Sequence, residues 1–140
     1  MTREEIVALL DRLQAAVNKT DAEAMAQLYA PDGVVESLMA GTVRGRAAIA
    51  DVSRAWFAAF PDLVATPDDL LIDGDRVMLV VTMSGSDMGG FMGLPPTGKP
   101  FRLPMVRVFT LKDGYIQHER RIYDFTGLLV QIGVLKTRPI

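Results

Sequence analysis

The strongest constraint on this chain is a change of hydrophobic period near Leu63. Before that point the apolar residues are spaced for helices, and after it they alternate as in strands. Thr2-x-x-Glu5 is a capping box followed by Ile6, Leu9, Leu10, Leu13 and Val17, which predicts a helix with a single apolar stripe. A second box, Thr20-x-x-Glu23, predicts a helix carrying Met25, Leu28 and Tyr29, stopped by Pro31. After an apolar stretch from Val34 to Met39 and a turn around Gly41, a third helix is expected from about Arg46 to Phe60. Its stripe is Ile49, Val52, Ser53, Trp56, Phe57 and Phe60.

Beyond Leu63, Asp73-Gly74-Asp75 and Asp113-Gly114 are hairpin-turn signals flanked by the β-rich runs Val77 to Met83 and Val106 to Leu111. Between them, Ser84 to Pro100 is too rich in Gly and Pro for a regular element and reads as a loop or lid. Helices first and an antiparallel sheet second predict an α+β domain with the helices packed on one face of the sheet. At 140 residues, positions 1–140 are expected to form one domain with a core of its own.

Composition narrows the chemistry. There is no cysteine and a single histidine, so thiol nucleophiles and disulfides are excluded and Cys/His metal sites nearly so. Carboxylates, hydroxyls, Arg, Lys or that His must do any work. A net charge of −2 without a long basic run gives no footprint for nucleic acid. No apolar stretch approaches the roughly 20 residues that span a bilayer, and Met1-Thr2-Arg3-Glu4-Glu5 lacks the basic start of a signal peptide. A soluble cytoplasmic protein is the expectation.

The second hairpin holds the candidate site. A two-residue turn at Asp113-Gly114 without a bulge would pair Lys112 with Tyr115, Phe109 with His118, Arg107 with Arg120, Met105 with Ile122 and Leu103 with Asp124. Alternation then turns Met105, Arg107, Phe109, His118, Arg120, Ile122 and Asp124 toward the helices. A buried polar group costs about 1 to 3 kcal/mol unless paired, so Arg107, His118, Arg120 and Asp124 need partners or a wet pocket. Structural readings stand beside the functional ones. Asp124 precedes a short helical pattern and reads equally as its N-cap. His118 reads as a hydrogen-bonded core residue, and the two arginines as an ion-paired group with Asp124 or Glu36 as the carboxylate. Trp56 and Phe57 are expected in the core, with a share in lining a cavity. Met83, Met88, Met92 and Met105 cluster around the lid and suit an adaptable apolar pocket. Ser86 lacks a nucleophile elbow, and the glycines at 85, 89, 90 and 93 match no phosphate loop.

Several runs carry a family resemblance over essentially the whole length: Leu28-Tyr29-Ala30-Pro31-Asp32-Gly33, Gly45-Arg46-Ala47-Ala48-Ile49, Phe60-Pro61-Asp62-Leu63 and Gly93-Leu94-Pro95-Pro96-Thr97-Gly98-Lys99. Phe109-Thr110-Leu111-Lys112-Asp113-Gly114-Tyr115-Ile116 adds to them. Most specific is Asp124-Phe125-Thr126-Gly127-Leu128-Leu129-Val130-Gln131-Ile132-Gly133, which resembles the Asp-x-x-x-Leu-x-x-Gln-Leu-Gly pattern of the SnoaL-like polyketide (ester) cyclases, within the nuclear-transport-factor-2-like superfamily.

That resemblance implies a cone-shaped α+β barrel whose curved sheet encloses an apolar pocket, commonly as a homodimer. It implies a reaction without metal or cofactor, in which the aspartate at position 124 acts as acid and base in an intramolecular aldol closure of a polycyclic or polyketide-like carbonyl ligand. His118 is the other candidate catalytic group, and Arg107, Arg120, Trp56, Phe57, Met105 and Phe109 are the candidate binding residues. The chain departs from the cyclases in two places: Arg107 stands where they tend to carry Asp or His, and His118 falls one place ahead of their usual His. Ketosteroid isomerases of the same superfamily would need a base and a tyrosine near Ser37 and Leu13, and neither residue can do that work. Two rival readings are a non-catalytic hydrophobic-ligand-binding or dimerising module and an epoxide-hydrolase-like enzyme in which Asp124, an arginine and Glu36 activate water.

Overall fold

Thr2 and Glu5 cap each other reciprocally, the Thr2 hydroxyl accepting from the Glu5 amide at 3.1 Å, and so fix the start of α1 (Arg3–Asn18). Its apolar stripe is buried from Ile6 to Val17. The next helix, α2 (Ala22–Ala26), is capped by Asp21, which accepts from the Ala24 amide, and not by Thr20. Thr20 sits in left-handed backbone at φ 51, where it closes α1 and cannot open another helix. Tyr29 accordingly belongs to β1 (Tyr29–Ser37), with Pro31 exposed near its start. A hairpin leads to β2 (Gly41–Arg44), and α3 (Arg46–Ala59) follows with Ile49, Val52, Ser53, Trp56 and Phe57 buried.

The remaining elements are β3 (Val64–Asp73), β4 (Arg76–Ser86), β5 (Pro100–Lys112), β6 (Tyr115–Tyr123) and α4 (Phe125–Gln131). The computed structural model describes residues 1–136. The strands form a six-stranded curved sheet in the order β2-β1-β6-β5-β4-β3, which does not close on itself, and its helix-covered face carries the core. The fold is therefore α+β as expected, but β1 and β2 precede α3, so helices and strands are not divided at Leu63 as the change of period suggests. Its one parallel pair, β1 with β6, brings the end of the helical half against the last strand. No described helix is long and apolar enough to cross a membrane.

The loop between β4 and β5 is tightly built. Asp87, fully buried, accepts from the amides of Gly90 and Thr97, and the single proton of the Thr97 hydroxyl lies between the Ile132 carbonyl at 2.6 Å and the Asp87 carboxylate at 3.1 Å. Gly89 lies so close to α3 that a Cβ there would meet the Ala58 carbonyl oxygen at 1.8 Å. The result presses Phe91 against Phe60 and Trp56.

The hairpin differs from its expected register by one residue. Asp113 (φ 52) and Gly114 (φ 83) do form the two-residue turn, and Lys112 pairs with Tyr115. Leu111 then pairs with Ile116, but Thr110 pairs with His118, so Gln117 is the extra residue of a β-bulge. From there on Phe109 faces Glu119, Arg107 faces Arg121 and Met105 faces Tyr123. His118, Arg120 and Ile122 therefore lie on the outer face, and Glu119, Arg121 and Tyr123 are buried. The physical reason is charge. In the unbulged register Arg107 would face Arg120 inside the core, whereas the bulge supplies a carboxylate between two guanidiniums. Gln117 is held at this point by Asp32, to which its amide donates at 3.2 Å.

Deleting Gln117 should force the unbulged register and leave the buried arginine without its acid. A loss of about 3 to 5 kcal/mol is expected, read as a lower urea midpoint than in the parent chain. A deletion variant with unchanged midpoint would show that the bulge does not set the interior.

Candidate functional site

The buried charges form one group. Glu119 is 0% exposed, Arg107 4% and Arg121 8%. Glu119 Oε2 accepts from Arg107 Nε at 2.6 Å and from Arg121 Nε at 3.0 Å, and Oε1 accepts from the Nη2 atoms at 3.2 and 3.3 Å. Each guanidinium thus grips the carboxylate side-on with two donors, the strong geometry for this pair. The Tyr29 hydroxyl donates to Oε1 and accepts from Arg107 Nη2 at 3.3 Å. Phe109 lies beneath, its ring 5.3 Å from the Arg107 guanidinium carbon.

Burial by itself would push the Glu119 carboxyl up, but the charges of Arg107 and Arg121 and their hydrogen bonds outweigh it and hold the group well below the usual carboxylate range. Burial and then the Glu119 charge push the Tyr29 hydroxyl up to about 12. At neutral pH the group therefore holds two guanidinium charges, one carboxylate and a neutral phenol. Glu119 is a fixed counter-ion with its lone pairs engaged, and it is a poor base.

Both arginines reach a cavity between α3 and the sheet, lined otherwise by Val17, Met25, Ser53, Trp56, Phe57, Leu63, Met83 and Met105. Its volume is about 30 Å³, room for about one water. Neither Arg107 Nη1 nor Arg121 Nη1 has a hydrogen-bond acceptor among the described residues. Trp56, 5% exposed, has a buried Nε1–H that also lacks a partner there. The Ser53 hydroxyl is engaged with the Ile49 carbonyl and Met25 sulfur. No carboxylate lines the cavity among the described residues, although Glu119 stands directly behind it. The arrangement is a small apolar chamber with spare N–H donors on its wall, suited to an oxygen bearing negative charge.

The residues named from sequence divide accordingly. Trp56, Phe57, Met105 and Arg107 line the cavity together, and Phe109 is fully buried beneath Arg107. His118 sits on the outer face, partly exposed, with Nε2 2.8 Å from Glu36 Oε2. Glu36 is thereby also outside, and cannot complete a water-activating pair within the cavity. Arg120 is exposed. Asp124 is exposed too and caps α4, its Oδ1 accepting from the Gly127 amide at 2.8 Å. The pocket placement expected for His118 and Arg120 is corrected by the bulge, which turns both outward, and that of Asp124 by its place as the exposed cap of α4. Sequence reasoning missed Tyr29, Glu119 and Arg121. A signal existed for two of them: Glu119 and Arg121 share one face of a strand, and only the shifted register gives Arg107 a carboxylate partner.

The model of the SnoaL-like polyketide cyclase family matches residues 7–132, most of the chain. The chain belongs to this family. Among solved structures, IdmH, a candidate polyketide cyclase from Streptomyces antibioticus, is 32% identical with a TM-score of 0.77, over 91% of this chain and 97% of that one. TsrD from Streptomyces laurentii is 27% identical with a TM-score of 0.86, over 96% and 99%. AclR, a candidate hydroxylase from Streptomyces galilaeus, is 28% identical with a TM-score of 0.85, over 99% and 87%. No curated protein matches the sequence. The family resemblance and its nuclear-transport-factor-2-like fold are thus found, and a cyclase or isomerase type of function follows at family level.

Within this SnoaL-like chain, replacing Glu119 by Gln should cost about 3 to 5 kcal/mol, because two buried guanidiniums lose their shared counter-ion. The pH dependence has a defined sign. A carboxyl held below its ordinary value of 4.5 contributes stability that is complete above that pH and is lost as pH falls through and below it. Urea titrations should show a steep acid limb below pH 4.5 in the parent chain and a flatter one in E119Q. Parallel acid limbs would refute the assignment.

Proposed function

We propose that this chain is a cyclase or isomerase acting on an enolisable carbonyl ligand in the cavity beside Trp56, with Arg107 and Arg121 stabilising the enolate oxygen. The observation that carries this reading is the pair of arginines with spare donors on the wall of an apolar chamber. An α C–H bond of the ligand breaks, its electron pair becomes the enolate, and the proton passes to water in the chamber. The enolate carbon then attacks a second carbonyl, whose oxygen takes a proton back. Preorganised donors at a developing oxyanion are worth about 10² to 10³ in rate each. The wall supplies them without reorganisation, because Glu119 and Tyr29 hold both guanidiniums in place.

Ligand pockets ordinarily span about 300 to 1,000 Å³, so binding requires the chamber to widen. Met25, Met83 and Met105 on its wall are the unbranched, adaptable side chains that permit this. The aspartate mechanism implied by the family pattern places the base at Asp124, which here is an exposed helix cap.

Solvent-deuterium exchange at the α-carbon of an aryl β-keto ester tests the two mechanisms together. The parent chain should accelerate exchange, Arg121→Met should lower it by about 10²-fold, and Asp124→Asn should leave it nearly unchanged, since Asn caps as well as Asp. A loss of about two orders of magnitude or more in D124N would overturn the arginine reading and restore the aspartate base.

We further propose that the ligand-binding unit is a homodimer formed through the outer face of the sheet. Register places Leu71, Met78, Val80, Val106, Val108 and Ile122 next to one another there, and Leu71, Met78 and Ile122 are 61%, 40% and 46% exposed. Such a contiguous apolar patch marks an interface. Unbulged alternation would set Glu119, Arg121 and Tyr123 on this face; they are inside, and His118, Arg120 and Ile122 take their places. Sedimentation should give a dimer at micromolar concentration and a monomer for Val106→Glu; a monomeric parent chain would sink the idea.

A further inference from the structure

The cavity's charge does not balance. Arg107 and Arg121 bring two positive charges and Glu119 one negative, and Glu119 is the carboxylate with which both pair among the described residues. The lining residues add no acid, and Tyr29 is a neutral phenol. One positive charge is therefore left in a site where both arginines are more than nine-tenths buried. An uncompensated charge in such a place is costly, and a counter-ion is the way to offset it. Independently, Trp56, which also lines the cavity, has a buried Nε1–H without an acceptor among the described residues. Indole is a donor only, so no rearrangement of its own can satisfy it. Its natural complement is an oxygen lone pair from outside the chain.

We propose that the cavity selects its ligand as a monoanion, a carboxylate or an already ionised enol, whose charged oxygen sits between the Arg107 and Arg121 Nη1 donors and the Trp56 Nε1–H. This rests on the cavity being the ligand site and adds the ionisation state of what it takes; a carboxylate ligand still loses its α-proton in the cavity, whereas an enol that arrives ionised enters the reaction at the carbon–carbon step. A neutral ester or ketone satisfies the Trp56 donor and leaves the extra charge uncompensated; a monoanion satisfies both. A dianion overshoots, because only one charge is in excess.

The chain has one tryptophan, so its indole N–H gives a single side-chain resonance that reports directly on the wall of the cavity. Two matched pairs of probes are titrated at constant ionic strength: benzoate against methyl benzoate, and the hydroxynaphthoquinone lawsone, an enol ionised at neutral pH, against its methyl ether. The anion of at least one pair should bind at least about tenfold more tightly than its neutral partner, moving the indole resonance downfield as the hydrogen bond forms. Which pair shows the preference separates a carboxylate from an ionised enol. In Arg107→Met, which leaves a neutral Arg121–Glu119 pair, that preference should fall to within about threefold, while Arg107→Lys should keep most of it. If R107M does not fold, the parent comparison and R107K decide the matter. Equal binding of both members in each pair, or preference for the neutral ones, would overturn the charge selection and leave the cavity as the ligand site. No binding and no indole shift with any probe would overturn both.

Discussion

A carboxylate clamped between two guanidiniums inside the sheet is the interaction on which the rest of this structure turns. Glu119 makes it possible to bury Arg107 and Arg121 at all, and Tyr29 completes the hydrogen bonding from the first strand. Removing water from ions of this kind costs several kcal/mol each, so the group adds little net stability compared with an apolar filling. What it contributes is position. Side-on pairing fixes the plane of each guanidinium, leaving particular N–H groups directed away from Glu119.

Aromatic packing stands behind Trp56 on one side of the chamber. Trp56 touches Phe60, Phe91 and Tyr123, and Phe91 is brought there by the loop that Asp87 organises. The carboxylate of Asp87 and that of Glu119 thus do comparable work in different places. Each is fully buried, each gathers several donors, and each holds a segment whose own sequence gives it little regular structure or an awkward charge. Methionines supply the softness of the chamber wall.

The fold was legible in the sequence because its signals are local. Capping at Thr2, the stripe of α3, the turn at Asp113-Gly114 and the loop before Pro100 depend on neighbours within a few residues, and each stands where periodicity places it. The site was half legible. Trp56 and Phe57 lie on the stripe that helical spacing gives α3, and Met105 and Arg107 on the face that alternation gives β5, so their place around one cavity could be read. The β6 residues could not be read the same way. His118-Glu119-Arg120-Arg121 is a run in which either face carries charge, so alternation does not choose between registers. The choice is made by a long-range ionic contact with Arg107 and by the parallel pairing with β1, neither visible in a window of sequence. The same ambiguity placed Asp124 in the pocket, when its local role as a helix cap was the one realised.

The extra residue at Gln117 also changes what can be carried from one family member to another. The resemblance to the cyclases sets their usual histidine at position 119, one place beyond His118, and position 119 faces inward here. A chemically plausible pairing of His118 with that histidine would slide the strand by one residue and exchange its two faces. Along β6, equivalence between relatives is therefore a matter of which side of the sheet a residue occupies, and likeness of side chain misleads. Two homologues that differ only in having or lacking this bulge could share nearly all their letters and present unrelated interiors to a ligand.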